Sequence, residues 1–180
     1  MSTAIIVVLV VAAIVVVLAI VIAMRPSQFR ITRSATIAAP PADVFAQVND
    51  FHRWQEWSPW AKRDPNAKNT YEGNASGTGA IFRWSGNSQV GEGCMTILES
   101  RPNELILIKL EFLRPFKATN SAEFTFQPAG KETAVTWSMS GRHQFVMKAF
   151  GLFMNMDKMV GGDFEKGLAN LNAVVTSAPH

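Results

Sequence analysis

Three histidines, one cysteine and 14 acidic residues are the raw material for chemistry in this 180-residue chain. A metal site needs several His, Cys, Asp or Glu side chains converging at short spacings. His52, His143 and His180 stand far apart with no paired spacing, so no metal is expected. His52 reads as a surface group among tryptophans. Cys94 has no second cysteine to bridge to and reads as a small buried hydrophobe. Neither G-x-S-x-G nor H-E-x-x-H occurs, and Gly77 and Gly79 lie in a turn that opens no phosphate-binding helix. No cofactor is implied. General acid–base chemistry is what remains, and it needs a titratable group facing an apolar cavity, its pKa shifted by burial. Glu92, Glu111, Arg83 and Arg142 are the candidates, although a solvated sheet face carries the same residue types. Arg83 falls between Phe82 and Trp84 and so faces away from them. The catalytic role stays unassigned.

The elements that would position such groups follow from periodicity. Arg30 to Ile37 alternates at Ile31, Ala35 and Ile37 as a first strand, with Arg33 breaking the pattern. Pro40 and Pro41 then suit a helix entrance, where a missing N–H costs nothing, and Asp43 suits its first turn. Val44, Val48 and Phe51 recur at helical spacing, and a second short helix is expected over Phe51 to Glu56. From Thr70 onward, glycine-punctuated strands are expected around 80–84, 93–99, 104–113, 121–127 and 133–141. Joined by short turns, they form an antiparallel meander. Val160, Phe164, Leu168, Leu171 and Val175 form one stripe of a long last helix. Gly161-Gly162 interrupts its start, which favours a kink or loop between two helical segments over close packing against the sheet.

A strand, two short helices, a sheet and a terminal helix make an α+β domain, the last helix lying on the concave apolar face of the sheet. Phe82, Trp84, Ile108, Leu110, Phe112, Trp137 and Met139 are then the candidates for that inner face. Phe150, Phe153 and Met154 would join them from the start of the terminal helical region, where Met147, Met154, Met156 and Met159 also cluster. A lined cavity and a filled core fit this pattern equally. Trp54, Trp57 and Trp60 fit packing that closes one end of the fold better than an exposed platform for lipid headgroups.

Ahead of all this, Ala4 to Met24 carries no polar side chain, and Arg25 and Pro26 follow it. As a helix this run extends roughly 31 Å, against a hydrocarbon core of about 30 Å. A core helix would carry a polar face, and a signal peptide would carry a basic start and a shorter apolar centre. Residues 1–25 are therefore read as a membrane anchor and 26–180 as a single domain. Arg25, Arg30 and Arg33 follow the span, which predicts a single-pass protein with a cytoplasmic C-terminal domain. A net charge of +3, with scattered Lys and Arg, does not make a nucleic-acid face. The expected partners are a lipid bilayer and an apolar small molecule; protein partners are not indicated.

Two stretches carry a resemblance: NDFHRWQEWSPW at 49–60, with tryptophans at three-residue intervals, and MDKMVGGDFEKGLANL at 156–171. With the order of elements, residues Phe29 to Val175 resemble the START-like, birch-pollen-allergen-like superfamily in its polyketide cyclase/dehydratase-like branch. The resemblance implies a helix-grip fold, a curved sheet of about six to seven strands around a long C-terminal helix. It also implies a cavity that in the superfamily holds lipids, sterols, polyketides or plant hormones, with no fixed catalytic motif to carry over. Three functions are thereby expected to compete: tethered binding of an apolar or amphipathic molecule, a cyclase or dehydratase using acid–base groups in the same cavity, and a non-catalytic adaptor with a filled core.

Overall fold

The computed structural model describes residues 2–142, 145–151 and 155–177. It begins with α1 (Thr3–Met24), followed by β1 (Gln28–Ile37), α2 (Pro41–Asn49), a 3₁₀ turn (Phe51–Arg53) and α3 (Trp54–Trp57). Six further strands follow: β2 (Lys68–Gly73), β3 (Ala80–Ser85), β4 (Glu92–Arg101), β5 (Leu105–Arg114), β6 (Ala118–Ala129) and β7 (Glu132–Arg142). The short α4 (Phe145–Phe150) and the long α5 (Met156–Ser177) complete the chain.

All seven strands form one antiparallel sheet in the order β1-β7-β6-β5-β4-β3-β2. The two strands that bracket α2 and α3 thus sit at opposite edges, and α5 lies across the concave face between them. This is the helix-grip-like α+β arrangement. β2, an edge strand exposed over most of its length, was not a distinct element in the sequence pattern because its KNTYEG run has no apolar alternation.

Alternation sets the inner face. Ile106 pairs with Phe124, which pairs with Trp137; one row on, Ile108 pairs with Ala122, which pairs with Met139. α5 answers with Phe164, Leu168, Leu171 and Val175, all buried. Its register departs from expectation at Gly161-Gly162, where the helix runs unbroken. The reason lies in β1. Arg33 shares the inward face of Ile31 and Ala35, and its guanidinium crosses α5 at Gly161, where any Cβ would collide with it. There Arg33 donates to Glu165 (2.7 Å) and to both Asp157 carboxylate oxygens (3.0 and 3.2 Å). These bonds raise the Arg33 pKa, Asp157 contributing most, and hold the Asp157 carboxyl below its usual range. The residue that broke the strand pattern and the glycine that interrupts the helix are one contact.

The tryptophans close one end of the fold. α2 ends without intrahelical partners for its last carbonyls. Trp54 Nε1 donates to the Val48 carbonyl (2.9 Å) and Trp57 Nε1 to that of Gln47 (3.2 Å). Both rings are buried, and Asn170 of α5 donates to the Trp57 carbonyl (3.1 Å). His52 stays at the surface, stacked on Tyr71 and bonded to Asp50 through Nδ1. Burial pushes the Tyr71 phenol up, with the Gln55 hydrogen bond opposing.

α1 is long and apolar enough to cross a membrane, and its described side chains are exposed apart from half-buried Ile22. It serves no core in the domain.

Candidate functional site

Between the sheet and the first half of α5 lies a cavity of about 500 Å³. It occupies the half of the grip nearest α1, because its walls come from the sheet rows that run toward Gln28 and Arg142. Phe82 and Trp84 of β3, Leu110 and Phe112 of β5, and Trp137 and Met139 of β7 all line it, as do Met95 and Ala122. The sheet holds these side chains by specific means. Gly93 gives the Trp84 indole room to lie flat over β4, and Trp84 Nε1 donates to the Val90 carbonyl (3.0 Å). Trp137 stacks parallel on Phe164 of α5 at 4.1 Å and 7°, and on Phe124 at 4.7 Å. Such pairs contribute roughly 0.5–1.5 kcal/mol each beyond their burial. Gly167 allows the Phe164 approach, since a Cβ there would stand 2.7 Å from the Trp137 ring.

Ile108 is a correction. It is fully enclosed in the core, between its sheet partners Ile97 and Ala122, and does not line the cavity that Ala122 reaches. Phe150 is the last residue of α4. Phe153 and Met154 lie outside the described residues, as do His143 and His180. The acid–base candidates of the sheet do not meet the cavity: Arg83 pairs with Glu72, Glu92 with Arg114, and Glu111 with Lys109. Arg142 is exposed, in the outward groove described below. The Glu72 hydrogen bond is the main cause of a raised Arg83 pKa. Cys94 is buried and unbridged. Among the described residues no cluster of His, Cys, Asp and Glu is fit to hold a metal.

The ionisable pair that the cavity does hold was not among the sequence candidates. Asp163 of α5 is 8% exposed and accepts a bond from Arg63 Nη2, and both residues line the cavity. A buried carboxylate is costly unless paired, so Arg63 is what allows Asp163 to face inward. The Arg63 guanidinium also lies 6.0 Å from the Trp60 ring centroid. Asp163 had a signal: it falls on the inner stripe of α5 between Val160 and Phe164, where a lone acid demands a cation. Arg63, in a loop, had none. Asp64, Asn69, Gln89 and Lys166 complete a polar margin on this side. The site is thus an apolar chamber with one charged wall. Trp137 adds one feature: its Nε1–H is buried with no hydrogen-bond partner among the described residues.

A second concavity of about 740 Å³ lies on the outward face of the sheet, beside Arg30, Lys109, Ser121 and Arg142. It is an open groove and encloses no molecule.

Residues 28–176 match the family model described as polyketide cyclase / dehydrase and lipid transport. No curated protein matches the chain in sequence. Several solved structures share its fold. Protein CV1439 from Chromobacterium violaceum is 16% identical with a TM-score of 0.60, over 86% of this chain and 100% of that one. The di-domain ARO/CYC StfQ of the steffimycin biosynthetic pathway is 11% identical with a TM-score of 0.60, over 83% of this chain and 51% of StfQ. Ara h 8.0201 is 13% identical with a TM-score of 0.56, over 84% and 99%. At these identities the likeness is one of fold.

Proposed function

Because the chain belongs to the polyketide cyclase / dehydrase and lipid transport family, we propose that its cavity binds an apolar or amphipathic small molecule, with α1 tethering the domain to a bilayer. Lipids, isoprenoids and polyketide-like molecules are the ligand classes. The observation that carries this reading is the cavity: about 500 Å³, apolar on the sheet side and charged on one margin. Ligand sites commonly run to about 300–1,000 Å³, mostly apolar with a few placed polar groups. Burial of apolar ligand surface supplies affinity, and the Arg63–Asp163 side orients a polar end. An adaptor with a filled core draws no support from this half of the grip.

The tether rests on the length and composition of α1. Arg25, Arg30 and Arg33 favour a cytoplasmic domain, and a C-terminal reporter active only outside the cytoplasm would overturn that orientation. Only Arg25 to Ser27 separate α1 from β1, which favours a ligand drawn from the adjacent bilayer over shuttling between membranes.

The test is purification of the full chain in mild detergent, with mass spectrometry of the extracted ligands. Wild type should carry a stoichiometric apolar species that Leu110→Trp, which fills the cavity, lacks. Equal blanks from both, with no uptake of added lipids, would sink the binding reading.

One observation favours a second reading, acid–base catalysis on a polyketide-like substrate: the Arg63–Asp163 pair sits in the cavity wall. Asp163 would accept a substrate proton, and Arg63 would orient its carboxylate. Asp163→Asn would then abolish turnover while retaining ligand. Unchanged ligand chemistry in wild type and variant alike leaves binding as the function.

A further inference from the structure

The end of the domain nearest α1 carries an unusual concentration of exposed apolar and cationic side chains. Outside α1, the large apolar residues exposed among the described residues are Leu98, Leu113, Phe116 and Met159. Three of these four lie at this end. Leu113 and Phe116 flank the tip of the β5–β6 hairpin, beyond the row that joins Gln28 to Arg142, and Met159 is in the first turn of α5. α4 follows the end of β7, the strand end paired with Gln28, and its Met147, Lys148 and Ala149 are half-buried. Its attachment fixes its depth. Lys148 of α4 donates to the Ala23 carbonyl in the last turn of α1 (3.4 Å), and Arg25 donates to the Gly151 carbonyl just after α4 (2.7 Å). Whatever surrounds the C-terminal end of α1 therefore surrounds α4.

Charge points to the same surroundings. Arg25, Lys117, Arg142 and Lys148 lie at this end, while its acids Glu92, Glu111 and Asp157 are each held by another cation, Arg114, Lys109 and Arg33. Apolar side chains interleaved with lysine and arginine suit the headgroup layer of an anionic bilayer, where rings and methyls enter the acyl boundary and cations stay among phosphates.

We infer that α4 and the β5–β6 hairpin tip form a second, peripheral membrane contact that seats the α1 end of the domain in the headgroup layer of the leaflet from which α1 emerges. This inference rests on α1 spanning the bilayer. Its consequence is orientation: the hollow half of the grip faces lipid, and the filled half faces water.

The test uses the full chain with Cys94→Ala, reconstituted in vesicles of phosphatidylcholine and phosphatidylglycerol. Single cysteines carry an environment-sensitive fluorophore at Ala13→Cys in α1, Ala149→Cys in α4, Phe116→Cys at the hairpin and Lys131→Cys in the far β6–β7 turn. Lipids bearing a quencher at the acyl centre should quench position 13. Lipids bearing it at the headgroup should quench 116 and 149 by about twofold or more over 131. Quenching at 13 with 116 and 149 no more quenched than 131 overturns the peripheral contact and leaves the span intact. No quenching at 13 overturns both. Disulfide cross-linking of Phe116→Cys between copies, with no lipid quenching there, would assign this surface to self-association and overturn the lipid contact.

Discussion

The two halves of the grip differ in what holds α5 to the sheet. Away from α1, Leu171 and Val175 sink between Ile37, Ile106, Phe126 and Val135, and α2 closes the layer with Val44, Phe45 and Val48, all buried. Phe45 meets Phe126 edge-on at 5.5 Å. Nearer α1 the same helix is held by Arg33 on Asp157 and Glu165 and by Arg63 on Asp163, with the cavity between helix and sheet. Apolar contact binds one half; in the other, charged bonds join the Trp137–Phe164 stack across a space. The lesson is that one continuous helix can serve as core at one end and as the roof of a chamber at the other, provided that directional contacts replace packing where the packing stops.

The contrast is open to direct attack. The largest expected effect is Leu171→Ala, which should cost about 2–5 kcal/mol in urea unfolding, since the packed half cannot collapse around the void. Met139→Ala, on the cavity wall, should cost less than about 2 kcal/mol because its side chain already borders open volume. Equal losses from the two would erase the distinction. Gly167→Ala should destabilise by about 1–3 kcal/mol as the new Cβ meets Trp137 and Pro59, and bound ligand should fall with it. Unchanged stability there would mean that α5 is free to lift. Asp163→Asn should cost about 1–3 kcal/mol by weakening the Arg63 bond, reduced by the partial exposure of Arg63, and should alter ligand selectivity. The smallest effect is that of pH. The folded-state pKa of Asp157 lies below its ordinary value, so its contribution is present above the unfolded pKa and disappears as pH falls through the lower folded one. Amide exchange in the first turns of α5 should therefore rise in acid, and Asp157→Asn should remove that acid dependence.

Much of this fold is legible in residue order. Ile106, Leu110, Phe124, Trp137, Phe164 and Leu168 announce their faces by period alone, and the tryptophan triplet reads correctly as packing. Legibility fails where a residue's meaning lies in a distant partner. Arg33 looks like a flaw in a strand and Gly161-Gly162 like a break in a helix until the register brings them together. Ile108 has the same period as Leu110, yet the sheet encloses one and exposes the other to the chamber, a difference of depth that alternation does not encode. Arg63 sits in a loop whose path is set by three-dimensional closure, so its role at the cavity is invisible to pattern.

The Arg33 contact has a further physical consequence. Its two carboxylate partners are exposed, so dissolved ions weaken their attraction over a Debye length of about 8 Å at physiological ionic strength. Leucine and valine in the other half do not respond in that way. Ionic strength and temperature therefore act on opposite ends of α5: added salt loosens the helix over the chamber, whereas heat must undo the packed end. A molecule entering or leaving beneath the helix would meet a roof whose hinge is apolar and whose latch is ionic.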